Sequence, residues 1–75
     1  MSEKTNINLL IVDDDLIFNQ LIQSFVSAQG VNAESVYSVN EAREYLQSHR
    51  PDFIILDYML KDGMGVELLE DIKSL

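Results

Sequence analysis

The chain has 75 residues, enough for one small domain or part of one, and 47% of them are hydrophobic and 24% charged. Its net charge of −8 argues against nucleic-acid binding, because contacts to phosphates need clustered lysine and arginine. The absence of cysteine excludes disulfide, zinc-thiolate and thiol chemistry. The sequence has neither a long apolar run nor a signal peptide, so the expected location is cytoplasmic and away from membranes.

A polar tail at residues 1–6 precedes the first predicted strand, Asn8–Val12. After its first residue this run is continuously apolar, which favours a strand buried on both faces of a parallel sheet. A helix follows, with Asp14 or Asp15 as its cap and Gly30 at its end. Apolar residues at helical spacing predict a stripe that packs into the core: Phe18, Leu21, Ile22, Phe25 and Val26.

A second, shorter strand is predicted within residues 31–37, and Ser38 opens the next helix. Ser38 and Glu41 have the spacing of a capping box, and Pro51 is expected to stop the helix. The apolar face of this helix is predicted to contain Val39, Ala42, Tyr45 and Leu46.

The apolar run at residues 52–57 predicts a third strand. A loop with glycines is predicted at residues 59–65, and a third helix from Val66 onward. The resulting order β-α-β-α-β-α predicts a parallel sheet with helices on its faces.

Acidic residues follow two of the predicted strands directly. Asp13, Asp14 and Asp15 come after the first strand, and Asp57 comes after the third. Ligands of open parallel sheets bind beyond the carboxyl ends of the strands, so if these two strands are neighbours, Asp13, Asp14 and Asp57 meet at one edge. Carboxylates that lie close together repel one another, and a hard divalent cation relieves that repulsion. The spacing therefore predicts a magnesium site suited to phosphate chemistry, with an aspartate that can attack phosphorus.

Two segments carry a family resemblance. Residues 10–15, LIVDDD, resemble the acidic segment of response-regulator receiver domains, and residues 54–60, IILDYML, resemble their phosphoacceptor strand. Gly65 matches a glycine that usually occurs in the family. The resemblance implies a flavodoxin-like, doubly wound parallel sheet and a signalling module of two-component systems rather than an enzyme.

The resemblance also implies residue roles. Asp57 would accept a phosphoryl group from a histidine kinase or a phosphotransfer domain. Asp13 and Asp14 would hold Mg²⁺ together with Asp57, one of them partly through water, and Met59 would offer its backbone carbonyl. Lys61 stands where a proline is common, a departure expected to loosen the loop slightly and to leave the chemistry untouched.

Three smaller interpretations accompany these roles. Asp15 is interpreted as a helix cap and Asp62 as a turn residue. Because the first helix of receivers often meets the kinase, its polar edge is an alternative partner surface, formed by Asn19, Gln20 and Gln23.

The family's domain has five strands and five helices, whereas this sequence predicts three of each. We therefore expect residues 7–75 to form the N-terminal three-fifths of a receiver, truncated to β1-α1-β2-α2-β3-α3. The functional Ser/Thr after the family's fourth strand and the lysine after its fifth are absent, so this chain is not expected to switch. The uncovered edge of the third strand predicts a homo-oligomer formed through that edge or through an exchanged element, which makes an inactive self-associating fragment one alternative.

A second alternative is an aspartate-nucleophile phosphatase of the haloacid-dehalogenase type. A strand followed by Asp13-Asp14-Asp15 superficially fits the Asp-x-Asp motif of that family. The family usually continues with glycine and threonine or valine, whereas this chain has Leu16 and Ile17. This interpretation also leaves Asp57 without a role.

Overall fold

Three parallel strands form the main sheet of the computed structural model, which describes residues 6–73. The elements, in chain order, are β1 Asn8–Val12, α1 Leu16–Ala28, β2 Asn32–Val36, α2 Val39–Leu46, β3 Phe53–Leu56, β4 Met59–Leu60, β5 Gly63–Met64 and α3 Gly65–Lys73. The predicted polar tail lies outside the described residues, except for the exposed Asn6.

The order of strands in the main sheet is β2-β1-β3, so the first and third strands are neighbours as predicted. Val12 lies opposite Val36 on one side and opposite Leu56 on the other, and the three strands therefore end level with one another. As the central strand, β1 is flanked on both edges and covered on both faces, which agrees with its uninterrupted apolar run.

Successive side chains of β1 point to opposite faces of the sheet. One face carries the main core cluster, which contains Leu10, Val12, Val39, Ala42, Leu46, Leu60 and Leu68 and therefore joins β1 to α2 and α3. On the other face lie Leu9 and Ile11, and α1 packs there against β1 and β2. With helices on both faces, the described residues form a doubly wound, flavodoxin-like α/β unit, as predicted.

The prediction that α1 buries its whole apolar stripe is wrong. Phe18, Leu21 and Phe25 are 49%, 64% and 67% exposed, while Ile22 and Val26 are partly buried. The reason is the position of the helix: α1 lies over β1 and β2, so only one flank of the stripe reaches the sheet. The other flank lies outside the contact with these two strands and remains exposed.

Strand β3 has an uncovered surface on the same side of the sheet as α1. Phe53 pairs in register with Leu9, and Ile55 with Ile11, so both point to the α1 side, where they are 62% and 40% exposed. We refer to these two side chains and the exposed ones of α1, on the same side of the sheet, as the uncovered apolar face: Phe18, Leu21, Phe25, Phe53 and Ile55.

The end of α2 also differs from the prediction. The helix ends at Leu46 instead of continuing to Pro51, and the backbone N–H groups of Ser48 and His49 both donate to the carbonyl of Tyr45 in a terminal turn. The side chain of Arg50 donates to the carbonyl of Leu46. These hydrogen bonds satisfy helix-end carbonyls before the proline is reached.

The segment predicted as a loop at residues 59–65 contains a short antiparallel hairpin. Met59 pairs with Met64 and Leu60 with Gly63, so Lys61 and Asp62 are the two connecting residues. Leu60 is buried in the main core. This packing holds the segment in a hairpin, although its composition suggests a loop. Helix α3 then begins at Gly65, one residue before the predicted start.

Across residues 6–73, no helix is both long and apolar enough to cross a lipid bilayer.

Candidate metal and phosphoacceptor site

The carboxyl ends of the three parallel strands are joined by hydrogen bonds that continue beyond the strands. The backbone N–H of Asp57 donates to the carbonyl of Val12 at 2.9 Å, and that of Asp13 donates to the carbonyl of Val36 at 3.2 Å. Because these bonds link β3 to β1 and β1 to β2, the chain segments that bear Asp13 and Asp57 lie side by side.

Three carboxylates meet at this edge. Asp13, Asp14 and Asp57 each contribute one oxygen, these oxygens all lie within 4.8 Å of one another, and all three residues are partly buried. Like charges at this separation repel, and the repulsion is stronger where water is partly excluded. The donor set consists of oxygen atoms only, which is the set that a hard divalent cation such as Mg²⁺ prefers. The convergence predicted from the sequence is confirmed, and the donors fit the predicted metal.

Asp13 and Asp14 are each held by a backbone N–H group. One oxygen of Asp13 accepts from the N–H of Asp15 at 2.9 Å, and one oxygen of Asp14 accepts from the N–H of Lys61, also at 2.9 Å. The second contact is absent from the sequence-based expectation, which treated the Lys61 departure as chemically neutral. Proline has no backbone N–H, so a chain with proline at this place could not make it.

Gly65 lies directly against the backbone of Asp57. A Cβ atom at this position would collide with the backbone carbonyl oxygen of Asp57 and would lie 3.1 Å from the Cγ of Leu56. The N–H of Gly65 donates to the carbonyl of Tyr58 at 2.8 Å, which fixes the start of α3 beside the end of β3. A glycine is needed here because of this close approach of two backbone segments.

Asn19 is a residue of the site region that the sequence interpretation misplaced. It was expected on a partner-binding edge, but it is fully buried. Its Nδ2 donates to the carbonyl oxygens of Asp13 and Val36, both at 2.9 Å, while its Oδ1 has no hydrogen-bond partner within residues 6–73. Asn19 therefore ties the ends of β1 and β2 together beneath Asp13. In the sequence, this role is indicated only by the position of the asparagine, whose short amide side chain follows the cap of α1 by one helical turn.

The other residues of the predicted polar edge divide between the sheet and the solvent. Gln23 donates to the carbonyl of Ala33 and accepts from the hydroxyl of Ser35, so it faces β2. Gln20 is exposed. Of the three residues, only Gln20 remains accessible in the way that a partner surface requires.

Asp15, Asp62 and Met59 lie around the acidic group, each in the element that was predicted for it or beside it. Asp15 caps α1, because its side chain accepts from the N–H of Phe18 at 3.0 Å, as predicted. Asp62 lies in the predicted turn, and both of its carboxylate oxygens accept hydrogen bonds from the start of α2. Met59 opens β4 with an exposed side chain, and its proposed contribution to the metal concerns the backbone carbonyl alone.

Comparison with known proteins assigns the family. The family model for the response regulator receiver domain matches residues 9–75. The chain belongs to the receiver-domain family. Receiver domains are signalling domains of two-component systems, and the phosphatase interpretation, which depended on the Asp13–Asp15 segment alone, gains no support from these matches.

Individual relatives agree with the receiver assignment. The chain is 32% identical over 74 residues to the regulatory protein VanRc of Enterococcus gallinarum, which covers 99% of this chain and 30% of that protein. It is 33% identical over 67 residues to the acid tolerance regulatory protein ActR of Rhizobium meliloti, covering 89% of this chain and 34% of that protein. The chain thus spans about a third of the length of these curated relatives.

Solved receiver structures share the fold. A two-component response regulator from Clostridium difficile superimposes with a TM-score of 0.86 at 29% identity, over 91% of this chain and 56% of that one. The receiver domain of the Francisella response regulator 1452 gives a TM-score of 0.86 at 25% identity, over 92% and 57%. The chain therefore matches somewhat more than half of each of these structures.

Proposed function

We propose that this receiver chain accepts a phosphoryl group on Asp57, with phosphohistidine of a histidine kinase or a phosphotransfer domain as the donor and Mg²⁺ as the cofactor. The observation that supports this most directly is the group of three carboxylate oxygens within 4.8 Å of one another. Asp57 is the member of this group that follows β3, where the sequence resembles the phosphoacceptor strand. A cytoplasmic location is part of the proposal and rests on the family.

The transfer would proceed by nucleophilic attack. An oxygen of the Asp57 carboxylate attacks the phosphorus, so an O–P bond forms while the P–N bond of the phosphohistidine breaks. The electron pair of the broken bond goes to the imidazole nitrogen, and Asp57 becomes an acyl phosphate. The hydrogen bond from its backbone N–H to Val12 holds Asp57 at the sheet edge during the attack.

The metal would be held by the carboxylates of Asp13, Asp14 and Asp57 and by the backbone carbonyl of Met59. When bound, Mg²⁺ supplies positive charge that reduces the repulsion between these carboxylates and an anionic phosphoryl group. The protein supplies the fixed positions of the ligands: Asp13 is held by the N–H of Asp15, and Asp14 by that of Lys61.

The proposal is tested by phosphorylation of the chain with acetyl phosphate and Mg²⁺. We expect a mass increase of one phosphoryl group that maps to Asp57, is absent without Mg²⁺ and is absent in Asp57→Asn. Glu44→Gln, which removes an exposed carboxylate on α2, serves as the matched control and should be modified like the wild type. A folded wild-type chain that forms no adduct, or an adduct that persists in Asp57→Asn, would contradict the proposal.

We further propose that phosphorylation of this part of a receiver does not by itself produce a conformational switch. The chain contains the acidic group of the site, but it matches only 56% of the Clostridium difficile structure. A large part of that structure therefore has no counterpart in the residues matched here. Equal circular dichroism and equal amide shifts of α2 and α3 before and after beryllofluoride treatment would agree with this proposal, whereas a large change in either helix would refute it.

A second proposal concerns this chain in isolation, and it is favoured by the uncovered apolar face. Among the described residues β3 pairs with β1 alone, and Phe53 and Ile55 are exposed next to that unpaired edge. Exposed strand edges and large apolar patches promote association. We therefore propose that the isolated chain forms homo-oligomers through β3 or through an exchanged element.

A further inference from the structure

We propose that the turn formed by Lys61 and Asp62 is a brace that holds the carboxylate of Asp14 in place, with Asp62 as a positioning residue for the metal site. The brace bonds Asp14 at one end and the N-terminus of α2 at the other. The inference rests on the proposed function in that Asp14 is taken as a metal ligand.

The first end of the brace is the hydrogen bond from the backbone N–H of Lys61 to Oδ2 of Asp14, at 2.9 Å. It joins residues that are 47 positions apart in the chain. Hydrogen bonds to metal-ligating carboxylates orient them before the metal arrives, and their loss typically weakens metal binding. The Lys61 N–H is thus an outer contact of the proposed site.

The second end is the carboxylate of Asp62. Its Oδ1 accepts from the N–H of Val39 at 2.8 Å, and its Oδ2 accepts from the N–H of Asn40 at 3.0 Å. Both groups belong to the first turn of α2, where N–H groups have no partner within the helix. The next one, from Glu41, is bonded by the hydroxyl of Ser38 instead. Asp62 therefore occupies an attachment point that is separate from the helix's own cap.

The two ends are connected through a short and constrained segment. Lys61 and Asp62 are the only residues between the paired positions Leu60 and Gly63, and Leu60 is buried in the main core. Val39, at the far end, is buried in the same core. Because adjacent residues of a tight turn cannot move independently, release of Asp62 from α2 should displace the Lys61 N–H from Asp14.

The test compares backbone and side-chain changes in the full 75-residue chain. Lys61→Pro removes the N–H donor, whereas Lys61→Ala removes the side chain and keeps the donor, so the two variants isolate the hydrogen bond. Asp62→Ala removes the α2 contacts, and Asp62→Asn keeps one acceptor oxygen. Ser38→Ala weakens the start of α2 without touching the turn and is the control for helix stability.

Two quantities are measured: Mg²⁺ affinity by titration, and hydrogen exchange of the Lys61 amide by NMR in metal-free buffer. We expect Lys61→Pro to weaken Mg²⁺ binding roughly tenfold and Lys61→Ala to leave it unchanged. Asp62→Ala should weaken binding and speed exchange of the Lys61 amide toward the rate seen in Asp14→Ala, which removes the acceptor. Asp62→Asn should restore part of both effects, and Ser38→Ala should change neither.

Different failures can be told apart. Unchanged exchange of the Lys61 amide in Asp62→Ala would overturn the brace, as would a loss of Mg²⁺ affinity in Ser38→Ala equal to that in Asp62→Ala. If the wild-type chain binds no Mg²⁺, the proposed function fails, and the exchange measurement still decides the brace: faster exchange in Asp62→Ala supports it, and unchanged exchange refutes it.

Discussion

Replacement of Gly65 by alanine should destabilise the fold and impair the site at the same time. The added Cβ would collide with the carbonyl oxygen of Asp57 and lie 3.1 Å from the Cγ of Leu56, closer than the optimum separation of carbon atoms. Since the first obstacle is backbone, relief requires that α3 or the end of β3 shifts, and such overpacking typically costs about 1–3 kcal/mol. Because Gly65 is the first residue of α3, the advantage of alanine over glycine inside a helix does not offset this cost, and a net loss of about 1–3 kcal/mol is expected.

The change is measured by urea denaturation followed by circular dichroism, together with the rate of phosphorylation by acetyl phosphate. Gly30→Ala is the matched control, because Gly30 has a φ of +90° and no atom within 4 Å of an added Cβ. That variant should also lose stability, through backbone strain, but the phosphorylation rate of its folded fraction should match the wild type. A Gly65→Ala chain with wild-type stability and wild-type phosphorylation would refute the argument that backbone contact fixes Asp57.

Three further results are expected. Phe53→Lys, which places a charge on the uncovered apolar face, should shift the chain toward monomer in sedimentation velocity, whereas an unchanged distribution would exclude this face as the contact. Asn19→Ala should reduce the free energy of unfolding by about 2 kcal/mol, since it removes two hydrogen bonds from a buried position, and a loss below about 0.5 kcal/mol in urea denaturation would contradict that role. The N–H groups of Val39 and Asn40 lower the pKa of Asp62, and the charge of Arg43 adds slightly to this effect. The stabilisation by Asp62 should therefore be fully present above its unfolded pKa of about 3.9. It should disappear as the pH falls through the lower pKa of the folded state. The stability difference between the wild type and Asp62→Asn should therefore shrink in acid, and a difference independent of pH from 2 to 7 would show that the ionised carboxylate is not involved.

The sequence was sufficient to predict the acidic site because its geometry follows from strand order. Asp13 and Asp57 each come directly after an apolar strand, and the carboxyl ends of neighbouring parallel strands meet at one edge. Asp15 was likewise predictable as a cap, since capping depends on local chain geometry. Features of this kind depend on a few residues of one segment and on a general rule of sheet topology.

The burial of α1 was not predictable to the same degree. Helical periodicity identifies an apolar stripe, but which flank becomes buried depends on how much of the sheet lies beneath the helix. In this structure α1 covers β1 and β2, so Phe25 is exposed while Asn19 is fully buried. The contact of Lys61 with Asp14 was hidden for a related reason: it is made by a backbone N–H, which every residue except proline has, so the lysine side chain does not point to it.

The three acidic residues are attached to separate parts of the fold. The backbone of Asp13 is fixed by β2 and by Asn19 on α1. The carboxylate of Asp14 is fixed by the turn anchored on α2. The backbone of Asp57 is fixed by the hydrogen bond to β1 and by the close approach of Gly65 on α3. Carboxylates that repel one another would spread apart if a single flexible segment held them, because each small rotation would lower the repulsion. Independent attachment to three helices and the sheet opposes that relaxation and keeps the oxygens close enough to share one cation. The packing of the whole unit therefore offsets the electrostatic repulsion between the three carboxylates. Weakening any one attachment should displace one ligand and leave the other two in position.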